Sequence, residues 1–491
     1  MSSISKTYQK KTDREHILDA PDTYIGSIEE DSVLGWTFSN KDDEEKMMYK
    51  EFKWIPGLYK CFDEGIVNAR DHVIRMGEKL KKKEEKIIPV KSINIDIEKD
   101  SGKITIMNDG NGIDVVEHPE YKIWIPEMIF GHLRTSTNYN KDEKKIVGGK
   151  NGFGFKLVLI YSTWGRIETV DHIRKLKYIQ EFKDNLSVVC PPKITKYTGK
   201  PYTKVSWIPD YKRFGSDSLS DDMYNLLKKR SYDIAAVTDK IVKVKFNNEL
   251  VGIKSFEQYI NMYVGSKTDT KRIYETANER WEYGVCVSPL DEFTQVSFVN
   301  GIYTSKGGKH VDYILNQIIK KLTDYIEKKK KVKVKSSVIK EQLMIFVNCV
   351  VENPAFDSQT KDYMNTAVSK FGSSCKVSDK FIEKIAKLGI MEQALSLNEV
   401  KQTKEAKKSD GKKTRSVRGI PKLIDANYAG TAKSELCTLI LCEGDSAKSG
   451  IVSGLSSSDR NVYGVYPLKG KLMNVRDTTA KKISDNQEIS E

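Results

Sequence analysis

Residues 148–157 read GGKNGFGFKL, with four glycines in seven residues followed by a lysine. Stretches of this kind expose backbone N–H groups that can hold phosphate oxygens. A Walker A loop needs G-x-x-x-x-G-K-[ST], which occurs neither here nor elsewhere in the chain. The stretch therefore predicts a phosphate-binding loop outside the P-loop class or, as the simpler alternative, a flexible loop without a ligand.

The composition is typical of an intracellular globular protein with an anionic partner. Its 491 residues are enough for about three domains. No run approaches the ~18 to 20 apolar residues that cross a bilayer, and the first residues lack an apolar signal core. The seven cysteines form no C-x-x-C pair, which favours reduced thiols over disulfides or a zinc site. The net charge of +14 favours nucleic acid as the partner, with a membrane surface a weak second.

Hydrophobic periodicity in the first half predicts an α+β arrangement of helices on a sheet. Residues 93–106 alternate in polarity around Asp100-Ser101-Gly102, as expected for a β-hairpin. Upstream, a helical stripe is formed by Leu58, Phe62, Ile66, Ala69 and Val73. Further strands are expected at 167–192, 203–208 and 241–252.

The second half predicts a separate α/β block and then a change of composition. Strands at 294–302 and 343–351 flank a helix with an apolar stripe from Leu315 to Ile326, and a helical end is expected near 378–405. Residues 401–419 are lysine-rich with almost no apolar residues, which is typical of an exposed linker. The apolar run TLILC (438–442) then predicts a buried strand leading into EGDSAKSG.

Two further patterns carry polar residues suited to nucleotide chemistry. In FDEGIVNA (62–69), Glu64 and Asn68 are four residues apart and share one helical face, as a general base and a Mg²⁺ ligand would. The alternative is a solvent-facing polar side of an amphipathic helix. In MNDGNGI (107–113), Asn108 offers a donor and an acceptor for a purine edge, and Gly110 and Gly112 would let the backbone approach a flat ligand. An ordinary turn is the alternative there.

The order of these three patterns resembles the GHKL ATPase fold shared by DNA gyrase, Hsp90, MutL and histidine kinases. Further stretches are similar to eukaryotic-type DNA topoisomerase II, and they run collinearly from about residue 8 to the end. They are HILDAPDTYIGS (16–27), IPEMIFGHLRTSTNY (125–139), PPKITKYTGKPYTKV (191–205), ENPAFDSQTK (352–361), LCEGDSA (441–447) and YPLKGKLMNVR (466–476).

This resemblance assigns roles to individual positions of an ATP and Mg²⁺ site. Glu64 is the expected general base, Asn68 the Mg²⁺ ligand, and Lys361 a catalytic lysine that reaches the γ-phosphate from a second domain. The other expected ATP contacts are Asn108 and Thr203 to adenine, Ser136, Thr137 and Asn138 to ribose and phosphates, Gly149, Asn151, Gly152, Gly154 and Lys156 in the lid, Gln359 beside Lys361, and Tyr8 from the strap of the other protomer.

The same resemblance implies a DNA-binding side to the chain. Glu443 matches the glutamate that helps to hold Mg²⁺ at the cleavage site of the TOPRIM domain. The DNA-binding candidates are Lys328, Lys329, Lys330, Lys331, Lys469 and Lys471, with a solvated helix end as the alternative for the lysine run. Four positions depart from the family: Lys150 for arginine, Phe155 for alanine, Lys469 for arginine and His72 for asparagine.

The resemblance predicts four segments: a GHKL ATPase domain (1–250), a transducer domain (251–408), a basic linker (409–433) and the N-terminal part of a TOPRIM domain (434–491). Neither a D-x-D-x-D cluster nor an assignable catalytic tyrosine is present. We therefore expect the ATPase half of a type II topoisomerase, an N-terminal piece or one subunit of a split enzyme, with an Hsp90- or MutL-like clamp or a non-catalytic DNA-binding subunit as alternatives.

Its expected partners are double-stranded DNA, a second copy through the ATP gate and the rest of the topoisomerase, with no membrane. The expected location is intracellular: the nucleus for a cellular eukaryotic enzyme, or the host cell or virion for a viral one.

Overall fold

A computed structural model describes residues 10–39, 45–133, 135, 145–149, 154–290, 292–395, 422–456 and 458–468. The chain divides into two units. The first holds most of the described residues up to Ala394. The second holds those from 422 onward, and Leu34–Trp36 and Tyr49–Phe52 are grouped with it.

The helices, numbered in chain order, are α1 (Asp13–Asp19), α2 (Pro21–Tyr24), α3 (Pro56–Lys81), α4 (Ile125–Gly131), α5 (Gly154–Ile160), α6 (Asp221–Ala236), α7 (Phe256–Val264), α8 (Lys309–Lys330), α9 (Ser336–Glu341), α10 (Asp379–Ile385) and α11 (Gly444–Gly454). A π-helical turn, Ala386–Ile390, follows α10, and 3₁₀ turns lie at Val368–Lys370, Ser434–Leu436 and Asp459–Asn461.

The strands are β1 (Asp31–Ser39), β2 (Lys46–Trp54), β3 (Ser92–Ile97), β4 (Ile104–Asp109), β5 (Ser162–Asp171), β6 (Leu176–Lys183), β7 (Val188–Val189), β8 (Lys193–Lys196), β9 (Tyr202–Pro209), β10 (Lys243–Phe246), β11 (Glu249–Leu250), β12 (Arg272–Asn278), β13 (Trp281–Val287), β14 (Thr294–Val299), β15 (Ile302–Tyr303), β16 (Leu343–Cys349), β17 (Thr438–Glu443) and β18 (Tyr463–Leu468).

A large mixed sheet carries the first half of the chain. Its strand order is β11-β10-β3-β4-β9-β5-β6-β7, with β8 also paired to β6. The pairs are antiparallel except that of β10 with β3. The predicted hairpin is confirmed as β3 and β4, and its isoleucines alternate inward because successive strand residues face opposite sides of a sheet. Asn108 continues the inward series of Ile104 and Ile106, so an amide occupies a core-facing position.

Helix α3 packs its apolar stripe on this sheet, as predicted. Pro56 occupies its first turn, where a missing N–H costs nothing, and Lys79 and Lys81 lie in its last turn, where cations suit the helix dipole. Leu58, Phe62 and Ile66 are at most 1% exposed. Close approach depends on Gly65, because a Cβ there would lie 3.0 Å from Ile106 Cδ1 and 3.1 Å from the indole of Trp207.

A second sheet, in the order β12-β13-β16-β14-β15, forms the core of the block after residue 251. Only β14 and β16 are parallel among these pairs of the described chain. Strand β16 is almost wholly buried because it lies at the centre of the sheet, with the apolar stripe of α8 packed near it. The predicted strands and the helix between them are confirmed, and the α+β fold class holds for the described residues.

The expectation that Gly110 and Gly112 of MNDGNGI let the backbone approach a flat ligand is wrong. A Cβ on Gly112 would lie 2.0 Å from the carbonyl oxygen of Val170, and one on Gly110, at φ +93°, would lie 2.7 Å from Val90. Both glycines are required by neighbouring protein atoms, and neither lines the cavity described below. Spacing alone could not distinguish a close protein neighbour from a flat ligand.

The second unit contains a parallel β17-α11-β18 arrangement. The strand predicted from TLILC is confirmed as β17, but the expectation that it is buried is wrong. Leu439 and Leu441 are 54% and 55% exposed, whereas Val465 and Tyr466 on β18 are buried. The apolar composition was enough to identify the strand, but it does not indicate which face of the strand is covered by other residues. The lysine-rich stretch 401–419 lies outside the described residues, so the linker stays a prediction.

No helix in the described ranges is long and apolar enough to cross a membrane.

Truncating a core isoleucine of the first sheet should destabilise the protein far more than truncating an exposed one. Ile95 is fully buried and Ile241 is 69% exposed. We expect Ile95→Ala to lower the free energy of unfolding by about 2–5 kcal/mol, because it removes apolar contacts and leaves a cavity. Ile241→Ala is the matched control and should stay within ~0.5 kcal/mol. Denaturant unfolding of both variants tests this, and equal effects would contradict the assigned core.

Candidate active site

A cavity of about 520 Å³ lies beside α3 and holds most of the predicted site residues that the structure describes. Its wall is formed by the polar side of α3, the ends of β4 and β9, the first turn of α5 and the loop after β16. The predicted residues that line it are Glu64, Asn68, Asn108, Gly149, Gly154, Lys156, Thr203, Gln359 and Lys361. Residues separated by almost 300 positions in sequence are thus brought to one cavity.

Several predicted residues lie outside the described ranges, and their roles stay predictions. They are Tyr8, Ser136, Thr137, Asn138, Asn151 and Gly152 for ATP, and Lys469 and Lys471 for DNA.

The carboxylate of Glu64 lies between two lysines from different parts of the chain. Its Oε1 is 2.7 Å from Nζ of Lys60, one turn earlier on α3, and 3.2 Å from Nζ of Lys361, in the loop after β16. Glu64 is only 5% exposed. The alternative of a solvent-facing polar helix side is therefore wrong, because the second block of the chain covers that side.

Burial alone would raise the pKa of Glu64, but Lys361 and Lys60 outweigh it and hold the pKa at about 2. The carboxylate is therefore ionised at neutral pH. Burial and the neighbouring Lys60 lower the pKa of Lys361, although Glu64 opposes that shift. Lys60 keeps a raised pKa because the carboxylates of Glu64 and Asp63 overcome its burial. One oxygen of Glu64 thus serves two buried cations.

Sequence reasoning missed Lys60 and Asp71, which helical spacing could have found. Both share the polar face of α3 with Glu64 and Asn68, at i−4 and i+7 from Glu64. The Asp71 carboxylate accepts the backbone N–H groups of Gly148 at 2.9 Å and Gly149 at 2.8 Å. Asp71 therefore fixes the start of the glycine-rich stretch to the helix that carries Glu64.

Gly154 has to be glycine because α5 starts against the carboxylate of Glu64. A Cβ at this position would lie 2.6 Å from Oε2 of Glu64. Carboxylate ends usually move aside easily, but this one is held through its other oxygen by Lys60 and Lys361. Gly154 is the first residue of α5, so the glycine-rich stretch runs directly into this helix.

The adenine candidates, Asn108 and Thr203, lie opposite each other on the adjacent strands β4 and β9. Asn108 donates an N–H of its side chain to the carbonyl of Asp109 at 2.9 Å. The hydroxyl of Thr203 lies 3.0 Å from that of Thr169. Two polar side chains therefore interrupt an otherwise apolar cavity floor that includes Ile106 and Val205.

Two of the departures from the family pattern have a structural explanation. The Phe155 ring packs edge-to-face against Phe130 and Trp207, with ring centroids 5.5 Å apart in each case. Nε2 of His72 donates to the carbonyl of Asn111 at 2.8 Å, and burial lowers the pKa of His72 to about 4, so the ring is neutral.

Lys156 is buried on α5, where it donates to the carbonyl of Thr135 at 2.6 Å, and burial lowers its pKa to about 8.

The donor set fits a Mg²⁺ ion shared with phosphates better than a metal cage made by protein alone. No group of three or more His, Cys, Asp or Glu in the described ranges could hold a metal. The Oδ1 of Asn68 faces Gly149, at 3.7 Å from the position a Cβ there would take. Mg²⁺ keeps few protein ligands and takes its remaining oxygens from substrate phosphates and water, so a single amide is sufficient.

The DNA-side candidates are described in part. Glu443 is exposed at the carboxyl end of β17, directly before α11, which is where α/β folds place ligands. Lys328, Lys329 and Lys330 are exposed in the last turn of α8, and Lys331 ends the helix in the left-handed conformation. Both positions are accessible, and their metal and DNA roles stay predictions.

Comparisons with known proteins agree with this arrangement. Residues 252–415 match the family model described as DNA gyrase B. The ATPase region of Saccharomyces cerevisiae topoisomerase II, a crystal structure, is 41% identical, with a TM-score of 0.73, covering 80% of this chain and 99% of that one. The chain belongs to the type II DNA topoisomerase family. The crystal structure of the topoisomerase II ATPase and transducer domains from Balamuthia mandrillaris is also similar, at 37% identity and a TM-score of 0.74, covering 82% of this chain and all of that one.

Full-length topoisomerase II sequences match along nearly the whole chain. DNA topoisomerase 2 of Acanthamoeba polyphaga mimivirus is 44% identical over 99% of this chain and 38% of its own length. That of Saccharomyces cerevisiae is 43% identical over 99% of this chain and 34% of its own length. The chain thus spans about a third of the length of these relatives. The matches favour a topoisomerase II ATPase region over an Hsp90- or MutL-like clamp.

Removing the positive charge of Lys361 should raise the pKa of Glu64. In the folded protein this pKa lies below the ordinary value of 4.5, so the ion pair stabilises fully above pH 4.5 and its contribution is lost as pH falls towards 2. We expect Lys361→Met to move the titration of Glu64 upward, towards 4.5. Infrared difference titration against Glu64→Gln measures it.

Lys306→Met is the control for that titration, because Lys306 is 70% exposed and pairs with Asp362 instead of Glu64. An unchanged Glu64 titration in Lys361→Met, or an equal shift in Lys306→Met, would refute the assigned ion pair.

Proposed function

We propose that this chain binds and hydrolyses ATP as the entry gate of a type II DNA topoisomerase. The observation that carries the proposal is the meeting of Glu64 with Lys361 in a cavity that also holds Asn68. A base, a cation from another block of the chain and a magnesium-type ligand are what phosphoryl transfer to water requires. The family of the chain supports the same activity.

Glu64 is the general base of the proposed reaction. Its carboxylate accepts a proton from the attacking water, whose oxygen forms a bond to the γ-phosphorus while the bond to the β,γ-bridging oxygen breaks and ADP leaves. Mg²⁺ held through Asn68 would neutralise phosphate charge. Gly154 leaves room for Oε2 of the carboxylate, which a Cβ at this position would meet. Lys60 holds the other oxygen, Oε1.

Lys361 links hydrolysis to the second block of the chain. Its ammonium lies 3.2 Å from Glu64, and the same loop carries Gln359 into the cavity. We propose that Lys361 exchanges the carboxylate for the terminal phosphate when ATP binds. The exchange takes one cation from Glu64, so the carboxylate becomes a stronger base as the substrate arrives. The loop thereby reports whether the γ-phosphate is present.

The proposed larger role is dimerisation on ATP and capture of a DNA duplex, which the rest of the topoisomerase, in the same longer chain or in a second subunit, passes through a transient double-strand break. The net charge of +14 and the exposed lysines that end α8 support a DNA partner. Glu443 would hold Mg²⁺ at the cleavage site. We propose an intracellular location, in the nucleus, the host cell or the virion.

Replacing the proposed base should stop hydrolysis without stopping nucleotide binding. Glu64→Gln keeps the side-chain shape and removes the proton acceptor, so we expect kcat to fall by at least ~10²-fold. The measurement is Mg²⁺-dependent phosphate release, with binding of a non-hydrolysable ATP analogue measured in parallel. Glu282→Gln, which removes a half-buried carboxylate bonded to Asn348 and Tyr274, is the control and should keep its kcat.

Hydrolysis that survives Glu64→Gln would refute the proposed base, and the absence of hydrolysis in the unsubstituted chain would refute the ATPase. Sedimentation with the analogue tests dimerisation. Supercoiled plasmid should stay supercoiled, because the 491 residues contain no D-x-D-x-D cluster. Relaxation of the plasmid would contradict that expectation.

A methyl group at position 154 should displace the carboxylate of Glu64 without changing its charge. Gly154→Ala places a Cβ where it would lie 2.6 Å from Oε2 of Glu64, so the carboxylate must rotate away from its lysines. We expect kcat to fall about 10- to 100-fold, which is the usual cost of misplacing a catalytic group by about 1 Å. Gly77→Ala, in the same chain at a helical glycine with no atom within 4 Å of the added Cβ, should be silent. Steady-state kinetics of both variants decide the point.

A further inference from the structure

The start of the glycine-rich stretch is bonded to two different elements. We define residues 145–149 as the lid entry. On one side, Asp71 of α3 accepts the N–H groups of Gly148 and Gly149. On the other side, the backbone N–H of Asn353 donates to the carbonyl of Lys145 at 2.8 Å, and its side-chain oxygen accepts the N–H of Lys145 at 3.2 Å. The lid entry is therefore joined to the segment that leads to Gln359 and Lys361.

Asn300 lies at the centre of this junction and is fully buried. It follows β14 in the left-handed conformation, at φ +51°. Its side-chain oxygen accepts the N–H of Val351 at 2.8 Å, and its side-chain N–H donates to the carbonyl of Val351 at 2.9 Å. The same nitrogen also reaches the carbonyl of Val147 in the lid entry, at a longer 3.4 Å. One amide thus contacts both segments that border the phosphate end of the cavity.

The turn that carries Asn300 is anchored on the helix of the catalytic base. Nη2 of Arg230 donates to the carbonyl of Gly301 at 2.7 Å, and its Nε donates to Asp63 at 2.7 Å, next to Glu64. A Cβ on Gly301, at φ +79°, would lie 2.3 Å from Cδ of Arg70. The turn therefore fits against α3 and α6 in one position only.

We propose that Asn300 is a positioning residue that aligns the lid entry with residues 351–361, so that both sides of the phosphate site close together. It touches neither substrate nor reacting atoms, and it acts through Val147 and Val351. The inference rests on the proposed ATPase and extends it by naming the side chain that couples the two blocks of the chain. Without it, the two segments are aligned in a smaller fraction of molecules, and apparent affinity falls by that fraction.

The chain contains a matched control for this residue. Asn247 also follows a strand, β10, in the left-handed conformation, at φ +47°. Its amide bridges the N–H of Ile97 at 2.8 Å and the carbonyl of Ile97 at 3.3 Å, on the parallel neighbour β3. This is the arrangement of Asn300 on β14 and β16, without a contact to the lid entry. Asn247 is exposed, so a second control has to match the burial of Asn300. That control is Thr304→Val, which removes a fully buried hydroxyl bonded to Ser297.

The test compares Asn300→Ala with Asn247→Ala and Thr304→Val in the full chain. We expect Asn300→Ala to lower kcat/KM for ATP about tenfold, mainly through a higher KM, because the aligned fraction falls about tenfold. Both controls should stay within about twofold. Hydrogen–deuterium exchange supplies a second readout that needs no hydrolysis. With a non-hydrolysable ATP analogue bound, exchange of residues 145–149 and of residues 351–353 should rise together in Asn300→Ala alone.

Two results would overturn the proposal. The first is a kcat/KM for Asn300→Ala equal to that of Thr304→Val, which would make the effect one of general stability. The second is faster exchange confined to residues 351–353, which would mean that Asn300 holds its own block and not the lid entry. Neither result touches the proposed ATPase, which stands or falls with the Glu64→Gln measurement.

Discussion

The rest of the site depends on the two ion pairs that the buried carboxylate of Glu64 makes with Lys60 and Lys361. One lysine is fixed by the same helix, and the other arrives from a loop almost 300 residues later. A buried carboxylate is tolerated only when it is paired, and here one of its two partners comes from the loop, so the ion pair holds the loop against the helix. The proposed catalytic base therefore also makes the contact between helix α3 and this loop, so a movement of the loop would change the charge around Glu64 directly.

Several other features serve to keep that carboxylate in place. Gly65 lets α3 lie close to the sheet, Gly154 lets α5 begin beside the carboxylate, and Asp71 brings the lid entry to the same helix face. Arg230, itself fully buried, pairs with Asp63 next to Glu64 and holds the Asn300-Gly301 turn. Loss of Arg230 would leave the buried Asp63 without its closest cation, and loss of Asp71 would remove the acceptor that holds the lid entry. A side chain at either glycine would crowd the neighbouring atoms.

The sequence was sufficient for much of the fold and for the main site residues. Alternation identified β3 and β4, and the helical stripe identified α3. The order of three motifs placed Glu64, Asn68 and Asn108 in one site, and the resemblance of ENPAFDSQTK (352–361) to topoisomerase II added Lys361. It failed where the answer depends on a distant neighbour. The polar face of α3 reads as solvent-facing until the loop with Lys361 covers it, and Gly112 reads as a ligand contact until Val170 is beside it. Leu439 and Leu441 read as buried because composition does not say what covers a strand.

In the part of the chain that the structure describes, asparagine takes the place of a strand residue at positions 247 and 300. At each, a left-handed backbone ends the strand while the side-chain amide continues the pairing with the neighbouring strand. Glycine could supply the conformation but not the pairing, and aspartate could supply the acceptor but not the donor. Asparagine therefore supplies the conformation, the donor and the acceptor together at these two sites. At position 300, which is buried, water cannot replace the missing partner, so the constraint there is the stricter of the two.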